Sequence, residues 1–503
     1  MTRLLVVLLA LLACASTAHA APTQEATFQD DDLLVYGTPD KVAATLDELK
    51  RLGVDRVRIS VFWAVVAHGA RPADPADHEQ YSPGAWDRYD TVLRLAHERG
   101  IGVNFNVTTP APPWATGTPE REDLKDTHEP NPAELGLFVR ALGTRYDGAH
   151  GPARVDYWSI MNEPNQPGWL TPQWRKRGDG WIEAAPRIYR DLVRAAWSSL
   201  VETGHGEDTI LVGELAPKGL KDVRGETRAI DALRFIRRLY CLDDNLQVLT
   251  GVLAEAHGCP TADPIAAFPA QNPGLFAMTG WSHHPYELLF APDRRQTWPD
   301  WVTTANLGDL QSVLRRIRAR YNQPSLEVPL YLTEFGYQSN PPDRVAVTLA
   351  QQARYINHAE YIAYRRRDVR TLSQFLMLDD GPPIDGNFQT GLRFIDGRAK
   401  PAYRAYSMPI HVPRPRLPRG RRLRVWGGAR PAEAGARPLI DVQFRRRGTK
   451  RWRRIARARG TAARGYVNLA LRAPGNGLVR LSWNGRTSRS VAVRVVRRPR
   501  RAR

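Results

Sequence analysis

The 503-residue sequence predicts an α/β protein: a (β/α)8 TIM barrel followed by a small all-β sandwich domain. Strand and helix patterns alternate eight times along the first four fifths of the chain, which indicates parallel strands in a barrel. The hydrophobic period then changes to two residues, and the charge changes sign at the same boundary. The alternative is a doubly wound open sheet. The sequence argues against it, because no predicted strand is followed by the Gly-x-Gly-x-x-Gly fingerprint.

Residues 1–20 have the pattern of a secretory signal peptide. Arg3 precedes the apolar stretch Leu4–Ala13, and Ala18-His19-Ala20 fits a small-x-small cleavage site. Cys14 leaves a lipoprotein signal open as the alternative. We therefore expect a mature chain without a transmembrane segment, which is secreted or associated with the cell envelope.

The predicted barrel domain covers residues 21–408. Thr38-Pro39 supplies an N-cap and a first turn, and Gly53 ends that helix. The other predicted helices are Trp86–Arg99, Pro132–Tyr146, Ile188–Val201, Leu307–Tyr321 and Val345–Arg366. The predicted strands are Leu33–Tyr36, Val57–Phe62, Gly102–Val107, Val155–Met161, Ile210–Val212, Gly280–His283, Leu330–Thr333 and Leu372–Leu378.

The C-terminal region differs in pattern. Residues 409–418 contain four prolines and are predicted to form a stiff linker. Residues 419–503 are predicted to form the β-sandwich, because apolar residues such as Ile440, Val442 and Phe444 alternate with polar ones. Asn484-Gly485 between two such runs predicts a hairpin.

The basic charge of the chain is confined to this C-terminal region. Residues 411–503 carry 27 arginines and one lysine against two acidic residues, whereas residues 1–410 carry a net negative charge. Such a density of arginine suits a polyanion. For an exported chain we expect an anionic cell-envelope polymer or acidic glycan and no nucleic acid. A charged spacer without a partner is the alternative.

Two cysteines remain in the predicted mature chain, Cys241 and Cys259. In an exported protein they predict one disulfide, with two buried thiols as the alternative. His257 and Cys259 lack a second pair of ligands at zinc spacing, so we predict no metal site. We expect no cofactor, since P-loop and dinucleotide-binding patterns are absent.

Two predicted strands end in a glutamate. Asn162-Glu163-Pro164 follows the fourth strand, and Glu334 follows the seventh within Thr333-Glu334-Phe335-Gly336. Because catalytic groups of a parallel barrel lie at the C-terminal ends of the strands, the two carboxylates are expected to face one pocket. Burying a carboxylate there costs desolvation free energy, which is tolerated when the group takes part in catalysis or is paired with another charge. Glycoside cleavage needs such a pair, one protonated and one ionised.

These motifs resemble the retaining glycoside hydrolases of clan A, which are (β/α)8 enzymes and include families 5 and 39. The resemblance implies that Glu163 is the acid/base and Glu334 the nucleophile, and that Asn162 binds the sugar 2-hydroxyl. It covers about residues 30–408 and none of the tail. By the same resemblance, the substrate is a carbohydrate.

Further positions match the clan's pattern. Arg58 fits the arginine of strand two that holds the nucleophile ionised, and His284 and Tyr286 fit the pair on strand six. Pro113-Trp114-Ala115 resembles a loop of family 39 and of some family 5 members. Trp63 and Trp114 are candidates for stacking on sugar faces, as are Trp169 and Trp281; for each, core packing is the alternative.

Two departures from the clan's pattern leave the sugar open. Met161 stands where many relatives have tryptophan, and the eighth strand lacks the tryptophan that forms the floor of the sugar site. Gln374 or Phe375 is expected to take that place. Three spare carboxylates, Glu183, Glu214 and Glu255, are predicted to be surface or supporting groups.

The sequence therefore predicts a secreted retaining glycoside hydrolase that cleaves O-glycosidic, most commonly β-linked, bonds in a poly- or oligosaccharide. The alternative is a catalytically weak carbohydrate-binding protein of the cell surface. The sequence leaves open the sugar, the linkage and endo versus exo cleavage.

Overall fold

The computed structural model describes residues 24–220, 225–324, 327–382, 384, 386–431, 437–461 and 465–496. The predicted signal peptide, Cys14 and the last seven residues lie outside these ranges. Eight parallel strands close into a barrel, as predicted, with each strand paired to the next and the last paired to the first. In chain order, β1 to β8 are Glu25–Gln29, Arg56–Phe62, Gly102–Thr108, Tyr157–Ile160, Thr209–Leu215, Gly280–His283, Leu330–Leu332 and Val369–Phe375.

Helices surround this barrel. The longer ones are Pro39–Leu52, Asp87–Glu98, Pro132–Arg145, Ala185–Leu200, Ala232–Leu239, Gly251–Ala256, Pro264–Gln271, Leu307–Arg320, Leu349–Tyr364 and Pro401–Ser407. Short helical turns are Asp31–Leu34, Trp63–Val66, His78–Gln80, Pro113–Ala115, Glu122–Leu124, Val201–His205, Gly274–Ala277 and Thr304–Asn306. Two small strand pairs are Trp174–Arg177 with Gly180–Glu183, which is antiparallel, and Ser339–Asn340 with Val347–Thr348, which is parallel.

The first predicted helix boundary is confirmed. The Thr38 side chain accepts a hydrogen bond from the Lys41 N–H, and Gly53 ends the helix in the left-handed conformation at φ 78°. Gly53 also lies where the C-terminal domain approaches: a Cβ added there would meet Arg430 at 2.6 Å. Glycine is required at this position for both reasons.

The first predicted strand is wrong. The structure places β1 at Glu25–Gln29, and most of the predicted strand Leu33–Tyr36 lies in the turn of helix Asp31–Leu34. Asp30 caps that turn by accepting a hydrogen bond from the Leu33 N–H at 3.1 Å. The capping interaction overrides the short apolar run, whereas β1 itself alternates polar and apolar residues.

Strand β2 shows how the barrel sorts its side chains. Val57, Ile59 and Val61 are fully buried in the core between strands and helices. Arg58 and Ser60 alternate with them and are also buried, on the inner face of the barrel. The apolar layer therefore holds the fold together, while the inner layer is free to carry polar groups.

The C-terminal region forms two β-sheets over a shared apolar core that includes Val425, Ile440, Val442 and Leu481. One sheet consists of Ile410–His411, Arg422–Gly428 and Tyr466–Arg472. The other consists of Arg416–Pro418, Val491–Val496, Gly477–Trp483, Leu439–Arg446 and Arg453–Arg459, with Arg486–Thr487 paired to Gly477–Trp483. The predicted Asn484-Gly485 hairpin is thus confirmed.

The segment 409–418 is not a free connector. Ile410–His411 pairs with Arg422–Gly428, and Arg416–Pro418 pairs with Val491–Val496. The prolines fit because each of these segments lies at the edge of its sheet, where the missing N–H breaks no ladder. The segment predicted to be a stiff linker therefore contributes two strands to the C-terminal sheets.

An aromatic cluster packs the two regions against each other. Trp426 and Tyr466 of the C-terminal sheets contact Tyr361 and Tyr364 of the helix Leu349–Tyr364, with ring centroids 5.1–5.5 Å apart. Beside this cluster, Arg430 forms a buried ion pair with Glu360.

Cys241 and Cys259 form the predicted disulfide, with their Cα atoms 5.8 Å apart. It closes a loop in the long segment between β5 and β6. Among the described residues, no helix has both the length and the apolarity needed to span a membrane.

Candidate active site

One arginine joins the ends of four strands inside the barrel. Arg58 of β2 is 1% exposed and donates from Nη1 to Glu334 Oε1 at 2.9 Å. From Nη2 it donates to Asn162 Oδ1 at 2.7 Å and to Glu214 Oε2 at 2.9 Å. Arg58 thereby holds together Asn162 after β4, Glu214 of β5 and Glu334 after β7.

The histidine and the tyrosine after β6 complete the cluster. His284 lies 2.8 Å from Glu163 Oε1 through Nδ1 and 2.7 Å from Glu214 Oε2 through Nε2. Tyr286 donates its hydroxyl proton to Glu334 Oε2 at 3.1 Å. The structure therefore brings together the predicted residues Arg58, Asn162, Glu163, His284, Tyr286 and Glu334.

The two predicted carboxylates lie close to each other. One oxygen of Glu163 and one of Glu334 lie within 4.8 Å of each other. Retaining glycosidases hold their carboxyl groups about 5–5.5 Å apart, whereas inverting ones leave room for a water. The Glu163 side chain is 19% exposed and that of Glu334 is 9% exposed, so Glu163 is nearer to solvent.

The charges of the cluster shift the pKa of two groups strongly. Burial acts to raise the pKa of Glu214, but Arg58 and His284 outweigh it and lower the pKa to about 2. Burial acts to lower the pKa of His284, but the neighbouring carboxylates of Glu334, Glu163 and Glu214 raise it to about 10. At neutral pH, Glu214 is therefore an anion and His284 an imidazolium.

The groups around the predicted nucleophile behave differently. Burial raises the pKa of the Glu334 carboxyl, while His284 and Arg58 act to lower it. Burial, together with the negative charge of Glu334, also raises the pKa of Tyr286 well above its ordinary value. Tyr286 is therefore a neutral hydrogen-bond donor to the carboxylate.

Glu163, His284 and Glu334 also have the geometry of a small metal cluster, since one ligand atom of each lies within 4.8 Å of the others. The side chains are already hydrogen-bonded within the cluster: His284 contacts Glu163 and Glu214, and Glu334 accepts from Arg58 and Tyr286. These hydrogen bonds fit groups that hold and transfer protons.

Glu214, predicted from the sequence to be a surface or supporting group, is a buried member of the site. It is fully buried, and besides Arg58 and His284 it accepts a hydrogen bond from the Thr333 hydroxyl at 2.8 Å. The signal was present, because Glu214 follows the apolar run Ile210–Val212 just as Glu163 and Glu334 follow theirs. The strand-end rule used for two glutamates applies equally to the third.

Three site positions hold a left-handed backbone that non-glycine residues rarely adopt. Met161 has φ 64°, Glu163 has φ 37° and Glu214 has φ 50°. The Glu163 N–H donates to the Glu214 carbonyl at 3.0 Å, which links two of these positions directly. Such strain costs about 1–3 kcal/mol per residue and gathers where function fixes the geometry.

Two of the predicted sugar-stacking residues are core residues. Trp63 is 1% exposed and stacks on Phe138, so no face of its ring is open to a sugar. Trp281 is fully buried. Trp114 is half-buried and packs edge-on against Trp63 at 6.0 Å, on the side of the apolar core.

Trp169, by contrast, belongs to an aromatic row at the C-terminal end of the barrel. Its ring is stacked with that of Phe62 at 6.4 Å, and Phe62 is stacked with Tyr36 at 6.3 Å. Phe62 shares the inner face of β2 with Arg58, one layer above Ser60. Tyr36 is 51% exposed, so the row reaches from the barrel mouth to solvent.

A second aromatic group lies on the nucleophile's side. Phe388 is 41% exposed and contacts Phe375 edge-on at 5.2 Å. Its ring also lies 6.5 Å from that of Tyr286. Phe375, expected to replace the missing tryptophan, thus supports Phe388, whereas Gln374 is buried and donates to backbone carbonyls.

The sequence matches no protein-family model and none of the curated proteins compared with it. Among solved structures, it is similar to a family 39 glycoside hydrolase from Bacteroides cellulosilyticus WH2, with 14% identity over 90% of this chain and 80% of that chain and a TM-score of 0.48. It is also similar to a GH5_18 structure from Streptomyces cattleya solved with GlcNAc, with 17% identity over 77% and 79% of the two chains and a TM-score of 0.47.

A third similar structure is a family 1 β-glucosidase from Thermotoga maritima, with 14% identity over 72% of this chain and 84% of that chain and a TM-score of 0.44. The assignment of individual residues rests on the geometry described above.

Proposed function

We propose that this protein is a secreted retaining glycoside hydrolase. The observation that supports the proposal most strongly is the pair Glu163 and Glu334, held within 4.8 Å at the end of a barrel by Arg58, His284 and Tyr286. Secretion is part of the proposal and rests on the signal-peptide pattern of residues 1–20.

In the first step, ionised Glu334 attacks the anomeric carbon of the bound sugar. The bond from that carbon to the glycosidic oxygen breaks, and Glu163 gives its proton to the departing oxygen. Glu334 becomes a neutral glycosyl ester. Arg58 and the Tyr286 hydroxyl hold the two Glu334 oxygens and so keep the carboxylate oriented for attack.

In the second step, a water attacks the same carbon from the side that the leaving group vacated. Glu163, now ionised, takes a proton from this water, and the ester bond to Glu334 breaks. Both residues return to their starting states. Two inversions give overall retention, which the short separation of the carboxyl groups predicts.

The aromatic row of Tyr36, Phe62 and Trp169 supports a substrate that extends beyond the sugar being cleaved. Sugar rings present apolar faces, and exposed aromatic rings bind them by burying those faces. The row begins above Arg58 and ends in solvent. We therefore propose an oligo- or polysaccharide substrate, with the row binding a ring outside the catalytic pair.

The test is reducing-sugar release from β-linked polysaccharides and aryl β-glycosides by the wild type and by Glu334→Gln. We expect the wild type to turn over at least one of them and the variant to lose this activity. Glu183→Gln is the matched control, because Glu183 is a buried, ion-paired glutamate outside the site. Its activity should stay near that of the wild type.

A carbohydrate-binding protein without turnover is the outcome that would contradict the hydrolase. It would show binding to a member of the panel, equal in the wild type and in Glu334→Gln, and no release of reducing sugar from any member. The paired carboxylates would then be structural groups only.

The C-terminal region supports a proposed second interaction, with an anionic polysaccharide of the cell envelope. A groove of about 620 Å³ in the sheet of Leu439–Arg446 is lined by Arg445, Arg446, Arg447 and Arg494. The one acidic residue described in this region, Asp441, is paired with Arg457. The groove therefore has positive charge without a matching acid among its lining residues.

Dextran sulfate is a suitable probe for this groove. We expect the wild type to elute from a dextran sulfate column at higher salt than the triple variant Arg446→Gln, Arg447→Gln and Arg494→Gln. Equal elution would contradict the proposed site. The variant Arg71→Gln, with its arginine on the barrel surface, is the control for loss of charge alone.

A further inference from the structure

Glu214 is a third buried carboxylate, and the two-glutamate mechanism does not use it. It lies inside the barrel and reaches neither solvent nor the aromatic row. Its Oε2 accepts from Arg58, from the Thr333 hydroxyl and from His284 Nε2, at 2.7–2.9 Å. A buried charge with this many donors is held for a reason, because removing it from water is costly.

His284 connects this carboxylate to the proposed acid/base. Its Nε2 contacts Glu214 and its Nδ1 contacts Glu163, so a single ring lies between the two. Nδ1 is also 3.5 Å from Glu334 Oε2. A ring with a carboxylate at each nitrogen is stable as an imidazolium, which donates from both sides.

We propose that Glu214 is a positioning residue whose fixed negative charge keeps His284 protonated on both ring nitrogens, so that the Nδ1–H of His284 holds the Glu163 side chain in place. This inference rests on the proposed function. It adds a role for a carboxylate that neither cleaves nor touches the substrate.

Counting charges gives the physical reason. In the resting state, the cations Arg58 and His284 balance the anions Glu214 and Glu334, and protonated Glu163 adds nothing. After the first step, Glu334 is a neutral ester and Glu163 has become the anion, so the total charge is again zero. Because the interior has a low dielectric constant, a cluster that stays neutral through both states avoids a large electrostatic cost.

Without the Glu214 charge, this balance fails. Two cations would face Glu334 alone, and the cluster would regain neutrality if His284 lost its proton. That loss removes the donor that holds Glu163 in place and lowers the fraction of molecules with the active arrangement at neutral pH.

The groups that face His284 from all sides agree with this assignment. They are Arg58 from β2, Glu163 after β4, Glu214 of β5, His283 and Tyr286 beside it in the chain, and Glu334 after β7. His283 is neutral, since burial lowers its pKa to about 3, and Tyr286 is neutral too. Burial opposes protonation of His284; Glu214 favours it throughout the reaction, Glu334 in the resting state and Glu163 after the first step.

The direct test is the titration of His284 by ¹⁵N NMR in the full chain labelled at its 12 histidines. The signal is assigned by its loss in His284→Gln. In the wild type, we expect His284 to keep the shifts of an imidazolium until the pH approaches about 10. A wild-type midpoint near the ordinary histidine value of about 6.5 would overturn the proposal, whether or not any variant folds.

The variant Glu214→Gln keeps the shape of the side chain and removes its charge. We expect the midpoint of His284 to fall by about 1–3 pH units, and Glu214→Asp to restore part of it. Glu183→Gln should leave the midpoint unchanged. An unchanged midpoint in folded Glu214→Gln would overturn the proposal.

The kinetic consequence separates this inference from the proposed function. With a substrate from the hydrolysis panel, Glu214→Gln should move the alkaline limb of the kcat/KM profile to lower pH, since His284 loses its proton earlier and Glu163 then loses its donor. An unmoved limb would contradict the link to Glu163. If the wild type shows no turnover while the NMR result holds, the proposed hydrolase fails and the charge assignment stands.

Discussion

The barrel and the C-terminal sheets carry arginine in opposite ways. In the barrel, Arg58 is buried and every one of its hydrogen-bonded carboxylates is buried as well. In the C-terminal sheets, Arg445, Arg446 and Arg447 line an open groove, and acids are almost absent. Arginines paired with buried acids fix the geometry of a site, whereas arginines without paired acids are available to bind a partner. The net charge of the whole chain therefore describes neither region.

Removing the buried arginine should have the largest effect. Arg58→Gln leaves Glu214 and Glu334 buried without their shared cation, which is expected to cost about 3–5 kcal/mol of unfolding free energy. Urea denaturation at neutral pH measures the loss. A cost below about 1 kcal/mol would mean that the barrel interior solvates these carboxylates without Arg58.

Arg430 tests whether burial, and not the region of the chain, determines how much stability is lost when an arginine is removed. It belongs to the C-terminal part of the chain but is 4% exposed and paired with Glu360. Arg430→Gln should cost about 3 kcal/mol, slightly less than Arg58→Gln, because the Tyr466 hydroxyl still donates to Glu360 at 2.9 Å. A loss of stability as small as that expected for an exposed arginine would contradict the contrast between buried, paired arginines and exposed ones.

The pH dependence of activity tests how the buried charges of the barrel affect the pKa of Glu334. Glu334 must be ionised to attack, and its pKa is raised by burial. The acidic limb of the kcat/KM profile should therefore fall at a higher pH than the ordinary glutamate value of about 4.3. A profile that stays flat to below that value would show that Arg58 and His284 outweigh burial.

Stacking on the aromatic row should have a moderate effect. Trp169→Ala is expected to lower kcat/KM several-fold on an oligosaccharide, corresponding to about 0.5–1.5 kcal/mol, and to leave aryl monoglycosides unaffected. Tyr157→Ala is the control, because Tyr157 begins β4 at the opposite end of the barrel. An equal loss on both substrate types would indicate a structural defect instead.

The smallest effect is expected for an exposed pair of the C-terminal sheets. Arg457 donates to Asp441 at 2.6 Å, on the surface between two strands. Arg457→Gln should leave the unfolding free energy nearly unchanged, because solvent already screens the pair. Denaturation in urea beside Arg430→Gln gives the contrast directly.

Most of the barrel could be predicted because its signals are local. Pro39 and Gly53 mark a helix, and apolar runs mark seven of the eight strands. Strand β1 could not be found in this way, because its residues are polar and apolar in turn and its pairing with β2 and β8 is long-range. Leu33 and Leu34 gave the stronger local signal, but the Asp30 cap bends the chain there.

The site residues that belong to recognisable sequence motifs could be predicted. Glu163 and Glu334 follow recognisable strands, and Arg58 and His284 fit positions around them. Glu214 follows a strand in the same way, but no motif set it apart from the other spare carboxylates, and its place in the site depends on what faces it across the barrel. The reverse holds for Trp63, whose position beside a strand end suggested sugar binding, although the turn of helix Trp63–Val66 directs its ring into the core.

Covalent labelling of Glu334 tests the central claim most directly. The wild type is incubated with activated aryl β-glycosides of several sugars that carry fluorine next to the anomeric carbon, a change that slows breakdown of the ester. Mass spectrometry of the digested protein should then find the sugar on the peptide that contains Glu334, and no label in Glu334→Gln. No label from any sugar, or label on Glu163 or Glu214 instead, would contradict the account.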